Sequence, residues 1–303
     1  MKKRRLAWAA VLVLLLIASV YIVIPSRLEV TKIDLVNCNR DGADRVLGDT
    51  AGWIRWWPHT GSEVSYHMSE RLHHGAVIAI RDEGTELFSQ ISILPMNRAD
   101  SSYLQWQYTR ETGWDPLTRI ARYRQAVRVK ADMATILDSL RHFLDDPRNV
   151  YGLAITQAST NDSFLVETLR TMKDYPGTEA IYDLVRRLEG FAAHRGASRT
   201  GYPMVNVDHL PDGQFELRTA VPVNRECSDS GDVVSRKLVK GNYLESDVRG
   251  GPAAIRLALG HLKDYIADNK RTVMAIPFFS LITDRTRESD TAKWVTRIYY
   301  PIY

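Results

Sequence analysis

Cysteine is nearly absent from this chain: 303 residues carry two, Cys38 and Cys227, far apart in sequence. With no close Cys or Cys/His cluster there is no pattern for a structural zinc site, and HExxH is missing as well. His73 and His74 are adjacent, which on a strand sends their rings to opposite faces, so they are not read as sharing a metal. An oxidising compartment would permit a bridge between the two cysteines, and they could equally stay reduced and distant; the reading adopted is no disulfide. A GxSxG elbow, a phosphate-cradling glycine loop and paired acids at useful helical spacing are also lacking. No catalytic residue, metal or cofactor is therefore assigned.

A surplus of positive charge is missing too, once the first residues are set aside. The formal charge is +4, but residues 1–25 hold four of the 40 Lys and Arg and no acid, leaving 36 bases against 36 acids in the rest. Nucleic-acid binding needs a concentrated positive surface, so no nucleic-acid partner is expected. What the start does have is Leu6–Ile24 (LAWAAVLVLLLIASVYIVI), apolar except for Ser19 and preceded by Lys2, Lys3, Arg4 and Arg5. At about 1.5 Å per residue such a helix nearly matches the hydrocarbon thickness of a bilayer. Residues 6–24 are thus expected to meet the lipid bilayer as a single-pass membrane anchor. A basic flank resists translocation, which places the N-terminus in the cytoplasm and the domains outside it, in the periplasm if the cell has two membranes. A cleaved secretory signal shares the charged start and apolar middle. This run is long for one and passes through Tyr21–Pro25 without a small-x-small cleavage site.

The remaining length, with 45% hydrophobic and 25% charged residues overall, suits one large or two ordinary globular domains. Arg27–Leu35 alternates as a strand, Asn39–Gly52 reads as one or two short helices, and Trp53, Trp56, Trp57 and Pro58 form an aromatic stop. Between Glu63 and Glu111 come strand-like runs at Val77–Ile80, Leu87–Leu94 and Tyr103–Tyr108, punctuated at Glu83-Gly84 and Asn97–Asp100. From Pro116 the period changes: Ile136, Leu137, Leu140, Phe143 and Leu144 share one helical face, ending near Asp146-Pro147. The second half offers a strand at Tyr151–Ala158, helical patterns at Phe164–Met172 and at Ile181–Ala192, and strands Met204–His209 and Gln214–Val223 around the turn Leu210–Gly213. The order then repeats, with a strand at Lys237–Val248, a helix at Ala253–Ile266, and strands at Ala275–Thr283 and Trp294–Ile302. Residues 151–223 and 236–303 read as two copies of a strand-helix-strand-strand unit.

Two tracts of the first half carry a family likeness. GDTAGWIRWWP (48–58) resembles the W..W.P corner of the START-like polyketide-cyclase (SRPBCC) superfamily, and residues 114–146 (WDPLTRIARYRQ…LRHFLDD) resemble its closing helix. The resemblance implies a helix-grip domain over 27–148, with an apolar cavity between helix and sheet. There Trp106 and Tyr108 are the candidates for lining, while the tryptophan corner is read as structural. KLVKGNYLESDVRGG (237–251) and WVTRIYYPIY (294–303) resemble the GyrI-like, or AraC-type effector-binding, domain. This implies a duplicated domain over 149–303, behind a cytoplasmic flank and anchor at 1–26, the whole chain being α+β.

GyrI-like domains bind small aromatic or cationic molecules between their two units, in a cleft of aromatic side chains and one or two glutamates. Carried over by position, Tyr299 matches the aromatic of the closing strand, and Arg297, expected on the same side, stands where the family has glutamate. Phe279 falls at the other acidic place. A permanently protonated guanidinium would repel a cation, so a neutral or anionic ligand is expected, unless Arg297 faces solvent or pairs with Glu245 or Asp247. Tyr202, Tyr243, Phe278 and Phe279 are candidate walls, and Trp294 falls on the opposite face. Glu167, Asp183 and Glu189 are read as helical residues in exposed ion pairs. The function expected is capture of a small hydrophobic or aromatic molecule by a membrane-anchored, non-catalytic protein. The alternatives are a hydrolase or cyclase-like enzyme and an interaction scaffold at the membrane.

Overall fold

Residues 2–58, 64–82, 84–160, 163–238 and 241–303 are described by the structure, a computed structural model; Lys2, Lys3, Arg5, Ala7, Thr160 and Ser163 are described without their side chains. Glu63, Glu83, Val239 and Lys240, which figured in the predicted strands and turns, lie outside the described residues. The chain divides into two compact units, Met1–Asp146 and Pro147–Tyr303, each of mixed α and β structure on one antiparallel sheet.

The apolar start winds into α1 (Lys2–Val23), rich in alanine and leucine and ended ahead of Pro25. Its apolar side chains, from Leu6 and Trp8 to Ile22 and Val23, stand exposed. Among the described residues no helix is long and apolar enough to cross a membrane. The expected transmembrane helix is thus helical, but it is not shown as a span.

The first unit continues with β1 (Arg27–Val36), α2 (Arg40–Gly48), a 3-10 turn (Thr50–Arg55), β2 (Ser65–Leu72), β3 (Gly75–Asp82), β4 (Thr85–Pro95), β5 (Ser102–Glu111) and α3 (Pro116–Leu144). The strands lie in the order β1-β5-β4-β3-β2. Asp115 caps α3 by accepting the Thr118 N–H at 2.7 Å, and Pro116 opens it where no donor is needed. α3 packs on β1 and β5 and buries Val129, Met133, Ile136, Leu137 and Leu140, while the sheet buries Ile78, Ile80, Ile91 and Leu104. Trp106 and Tyr108, predicted to line a cavity, are packed in this core instead. Both are almost fully buried, and the Trp106 indole N–H donates to Ser89 Oγ at 2.9 Å. Trp53 stacks on Trp57 at 4.7 Å and donates to the Leu47 carbonyl at 2.8 Å, which fastens the tryptophan corner to α2.

The second unit runs α4 (Pro147–Tyr151), β6 (Thr156–Thr160), β7 (Ser163–Met172), α5 (Thr178–His194), β8 (Met204–His209), β9 (Phe215–Val223), β10 (Val233–Leu238), β11 (Gly241–Arg249), α6 (Pro252–Asp268), β12 (Phe278–Leu281) and β13 (Val295–Ile302). Phe164–Met172 is therefore a strand, not the predicted helix, and Tyr151 closes a helical turn rather than opening a strand. The repeating unit gains an element: it is strand-strand-helix-strand-strand, β6-β7-α5-β8-β9 followed by β10-β11-α6-β12-β13. The sheet order β10-β7-β9-β8-β12-β13-β11-β6 shows that the first strand of each copy pairs at the edge of the other copy. α5 and α6 cover one face, burying Val185, Leu188, Ala258 and Leu262 with Val166, Leu217, Leu244 and Ile298 in a single cluster. Cys38 in the first unit and Cys227 in the second are buried thiols.

Candidate functional site

Alternation along each strand of the second sheet decides what its helix-free face displays. On β13, Thr296, Ile298 and Tyr300 are buried on the helix side, so Arg297, Tyr299 and Pro301 face the other way. On β11, Leu244, Ser246 and Val248 are buried on the helix side, which leaves Tyr243, Glu245 and Asp247 beside the β13 trio. The register pairs Tyr243 with Pro301, Glu245 with Tyr299 and Asp247 with Arg297, while β12 brings Phe278 opposite Tyr299.

Three of these side chains form an aromatic cluster. Phe278 stacks on Tyr299 with ring centroids 4.8 Å apart, and Tyr243 meets them edge-on at 5.7 and 6.2 Å. Beside the cluster lies an open groove of about 630 Å³, lined by Tyr243, Phe278, Met274, Ile276, Pro301 and Tyr303 among others. A smaller pocket of about 120 Å³ adjoins it, sharing Leu238, Ile276 and Phe278 and adding Leu165, Met204 and Ala220.

The internal repeat relates the two pockets residue by residue. Leu165 pairs with Pro222 as Tyr243 pairs with Pro301, and Met204 pairs with Ala220 as Phe278 pairs with Tyr299. Leu165, Met204 and Ala220 thus occupy the positions that Tyr243, Phe278 and Tyr299 fill in the second copy. One half of the face is aliphatic and the other aromatic. By the same register Glu167 corresponds to Glu245, Arg218 to Arg297, and Leu169 to Asp247.

The charges differ between the halves because of that last pair. In the first copy Leu169 offers no charge, and Arg218 reaches Glu167 at 3.4 Å; Arg236 joins at 3.1 Å, so this mostly buried carboxylate is neutralised twice over. In the second copy Asp247 takes Arg297 in two hydrogen bonds, from Nε at 2.6 Å and Nη2 at 3.0 Å. Those bonds hold the Asp247 carboxyl below its ordinary range and the Arg297 guanidinium above its own. Glu245 is left facing Tyr299. Burial raises the Tyr299 hydroxyl; the Arg297 hydrogen bond works against this, and the Glu245 charge adds to it.

Of the residues singled out in the sequence, Tyr243 and Phe278 line the groove and Tyr299 supports it from behind. Arg297 shares their face but is engaged with Asp247. Phe279, one residue out of phase with Phe278, is turned into the helix-covered core. Tyr202 is half exposed ahead of β8 and is not among the described lining residues of either pocket. Trp294 sits under the Arg285 guanidinium at 4.6 Å and donates to the Glu288 carbonyl. Glu167, predicted to be helical and exposed, is on β7 and lines the smaller pocket. Asp183 and Glu189 are on α5 and pair with Arg186 and Arg199. Leu165 and Met204 were missed, and Glu245 was named only as a possible partner of Arg297; aligning Leu165-x-Glu167 with Tyr243-x-Glu245, anchored on Pro222 and Pro301, would have placed Leu165 and Glu245 on this face.

No family model matches the chain, and no curated protein matches it. Among solved structures it is similar to the C-terminal domain of EcmrR (15% identity, TM-score 0.42, 50% of this chain and 98% of that one). It is also similar to SAV2435 bound to tetraphenylphosphonium (17%, 0.34, 49% and 93%). A third likeness is to the di-domain aromatase/cyclase BexL from the BE-7585A biosynthetic pathway (12%, 0.32, 91% and 84%).

Proposed function

We propose that this chain is a membrane-anchored binding protein of the GyrI-like kind, capturing a small hydrophobic aromatic molecule in the groove of its second unit. The observation that carries the reading is the open groove of about 630 Å³ flanked by the stacked Phe278–Tyr299 pair and Tyr243. Concave, mostly apolar sites with few polar groups are the usual form of small-molecule sites. The repulsion expected from Arg297 is absent from the proposal, since Asp247 compensates its charge. Glu245, beside the aromatic half, favours a cation over an anion. α1, helical over Lys2–Val23 with its apolar side chains exposed, supports the anchor, and the helix on the sheet of the first unit supports a helix-grip domain.

Tetraphenylphosphonium and tetraphenylborate are nearly equal in shape and opposite in charge, and triphenylphosphine oxide is neutral. Thermal-shift measurements on residues 27–303 with each should show stabilisation by the cation and the neutral compound, with the borate weakest. A ligand at about 100 times its Kd adds about 2.7 kcal/mol of stability. Phe278→Ala should remove most of the shift. Absence of stabilisation by all three compounds would sink the reading.

A further inference from the structure

We infer that the first unit stands on the bilayer through Trp114 and Leu117, which enter the interfacial layer where α1 emerges. The inference rests on reading α1 as the anchor and adds a second, independent lipid contact. Both side chains are exposed, 88% for Trp114 and 76% for Leu117. Single exposed apolar residues are ordinary on a protein surface. These two are distinguished by where the chain fixes them.

The joint between α1 and the sheet is tied at successive carbonyls. Arg119 Nε donates to the Ile24 carbonyl at 2.8 Å, Thr112 Oγ1 to that of Pro25 at 2.8 Å, and the Thr112 N–H to that of Ser26 at 2.8 Å. The Arg119 guanidinium, itself buried, also lies 4.7 Å over the Tyr21 ring. The Tyr21 hydroxyl in turn donates to the Trp114 carbonyl. A cation at the C-terminal end of a helix is favoured by the helix dipole, and a tied joint leaves α1 no free linker on which to swing. Trp114 is therefore held at the level of the last turn of α1, and Leu117 follows in the first turn of α3.

Lipid is the occupant that this placement fits. The apolar surface of α1 continues through Tyr21 onto Trp114, and aromatic side chains at headgroup depth are the usual flank of a spanning helix. The exposed Arg124 follows farther along α3, where its guanidinium would meet lipid phosphates, while Arg122 donates to the Glu111 carbonyl at 3.0 Å.

The test uses the full chain in vesicles of phosphatidylcholine and phosphatidylglycerol, with an environment-sensitive fluorophore on Leu117→Cys. Cys38 and Cys227 are buried and should resist labelling. Ile54→Cys is the control: Ile54 is 89% exposed and belongs to the tryptophan corner, which Ser139 holds through the Trp56 carbonyl. Ser139 is about 33 Å along α3 from Leu117 at 1.5 Å per residue. Flotation with the vesicles reports the anchor; quenching by spin-labelled lipid reports the inference. The expected result is co-flotation, with blue-shifted, lipid-quenched emission at position 117 and none of this at 54. Co-flotation without quenching at 117 overturns the inference and leaves the anchor standing. Failure to float overturns both. Self-quenching at 117 that grows with protein per vesicle, without quenching by lipid, shows a second copy covering the patch and also overturns it.

Discussion

At the scale of single residues, Asp247 decides the charge of the groove. Leu169 holds the equivalent place in the first copy, and there the arginine turns to the glutamate. Asp247→Leu should reproduce that arrangement, releasing Arg297 to pair with Glu245. In the thermal-shift assay the response to tetraphenylphosphonium should then fall and that to tetraphenylborate rise. Unchanged selectivity would show that Glu245 does not act on the ligand. The substitution should cost little stability, because the Asp247–Arg297 pair is partly exposed and such pairs are worth about 0–1 kcal/mol. The sign of its pH dependence follows from the depressed carboxyl of Asp247. Its small contribution is complete above the unfolded value of about 3.9 and is lost as pH falls through the lower folded value. The sequence made Arg297 visible as a misplaced cation and offered Glu245 or Asp247 as its partner, but the choice of Asp247 depends on cross-strand register. Phe279 shows the same limit: a one-residue shift on a strand exchanges groove for core.

Elements with a clear local period or turn signals at their ends were readable, including strands buried on both faces such as β3 and β9, and β7 was not. α3 is predictable at both ends, from Asp115-Pro116 and Asp146-Pro147, because caps and prolines act locally. β7 misleads because helices cover one of its faces while the other borders the smaller pocket. Its Phe164, Leu165, Thr168, Leu169 and Met172 then fall at helical spacing although the backbone is extended. The short leading strands β6 and β10 are set by pairing across the repeat, which no local pattern records. The joint between α1 and α3 is likewise a long-range feature, and it carries its own expectation. Arg119→Gln removes a charged hydrogen bond worth about 1.5–3 kcal/mol and the contact with Tyr21. Hydrogen exchange at the Thr112 amide should accelerate by about 10- to 100-fold, each tenfold being about 1.4 kcal/mol, with α5 and α6 unaffected. Equal protection in the variant would show that the joint is held by other groups.

For the molecule as a whole, the groove and the joint are both built inside single units, so under the proposal that α1 is an anchor the orientation of α1 would decide which compartment the groove faces. Lys2, Lys3, Arg4 and Arg5 precede the apolar run, whereas Arg27 and Lys32 follow it. Arg27 lies 3.0 Å from Glu29 and Lys32 3.0 Å from Asp34. Lysine and arginine near a span bias its orientation far more than neighbouring acids do, so the four leading cations should keep the N-terminus in the cytoplasm. Alkaline phosphatase fused after Tyr303 should accordingly be active, since it folds only outside the cytoplasm. Replacing all four cations by serine leaves Arg27 and Lys32 as the nearest positive flank, and phosphatase activity per molecule should drop as a fraction of chains inverts. If the fusion is inactive with the native flank, both units lie in the cytoplasm and the ligand must be sought there. Full activity in the serine variant would instead show that the folded units, not the flank, determine the orientation.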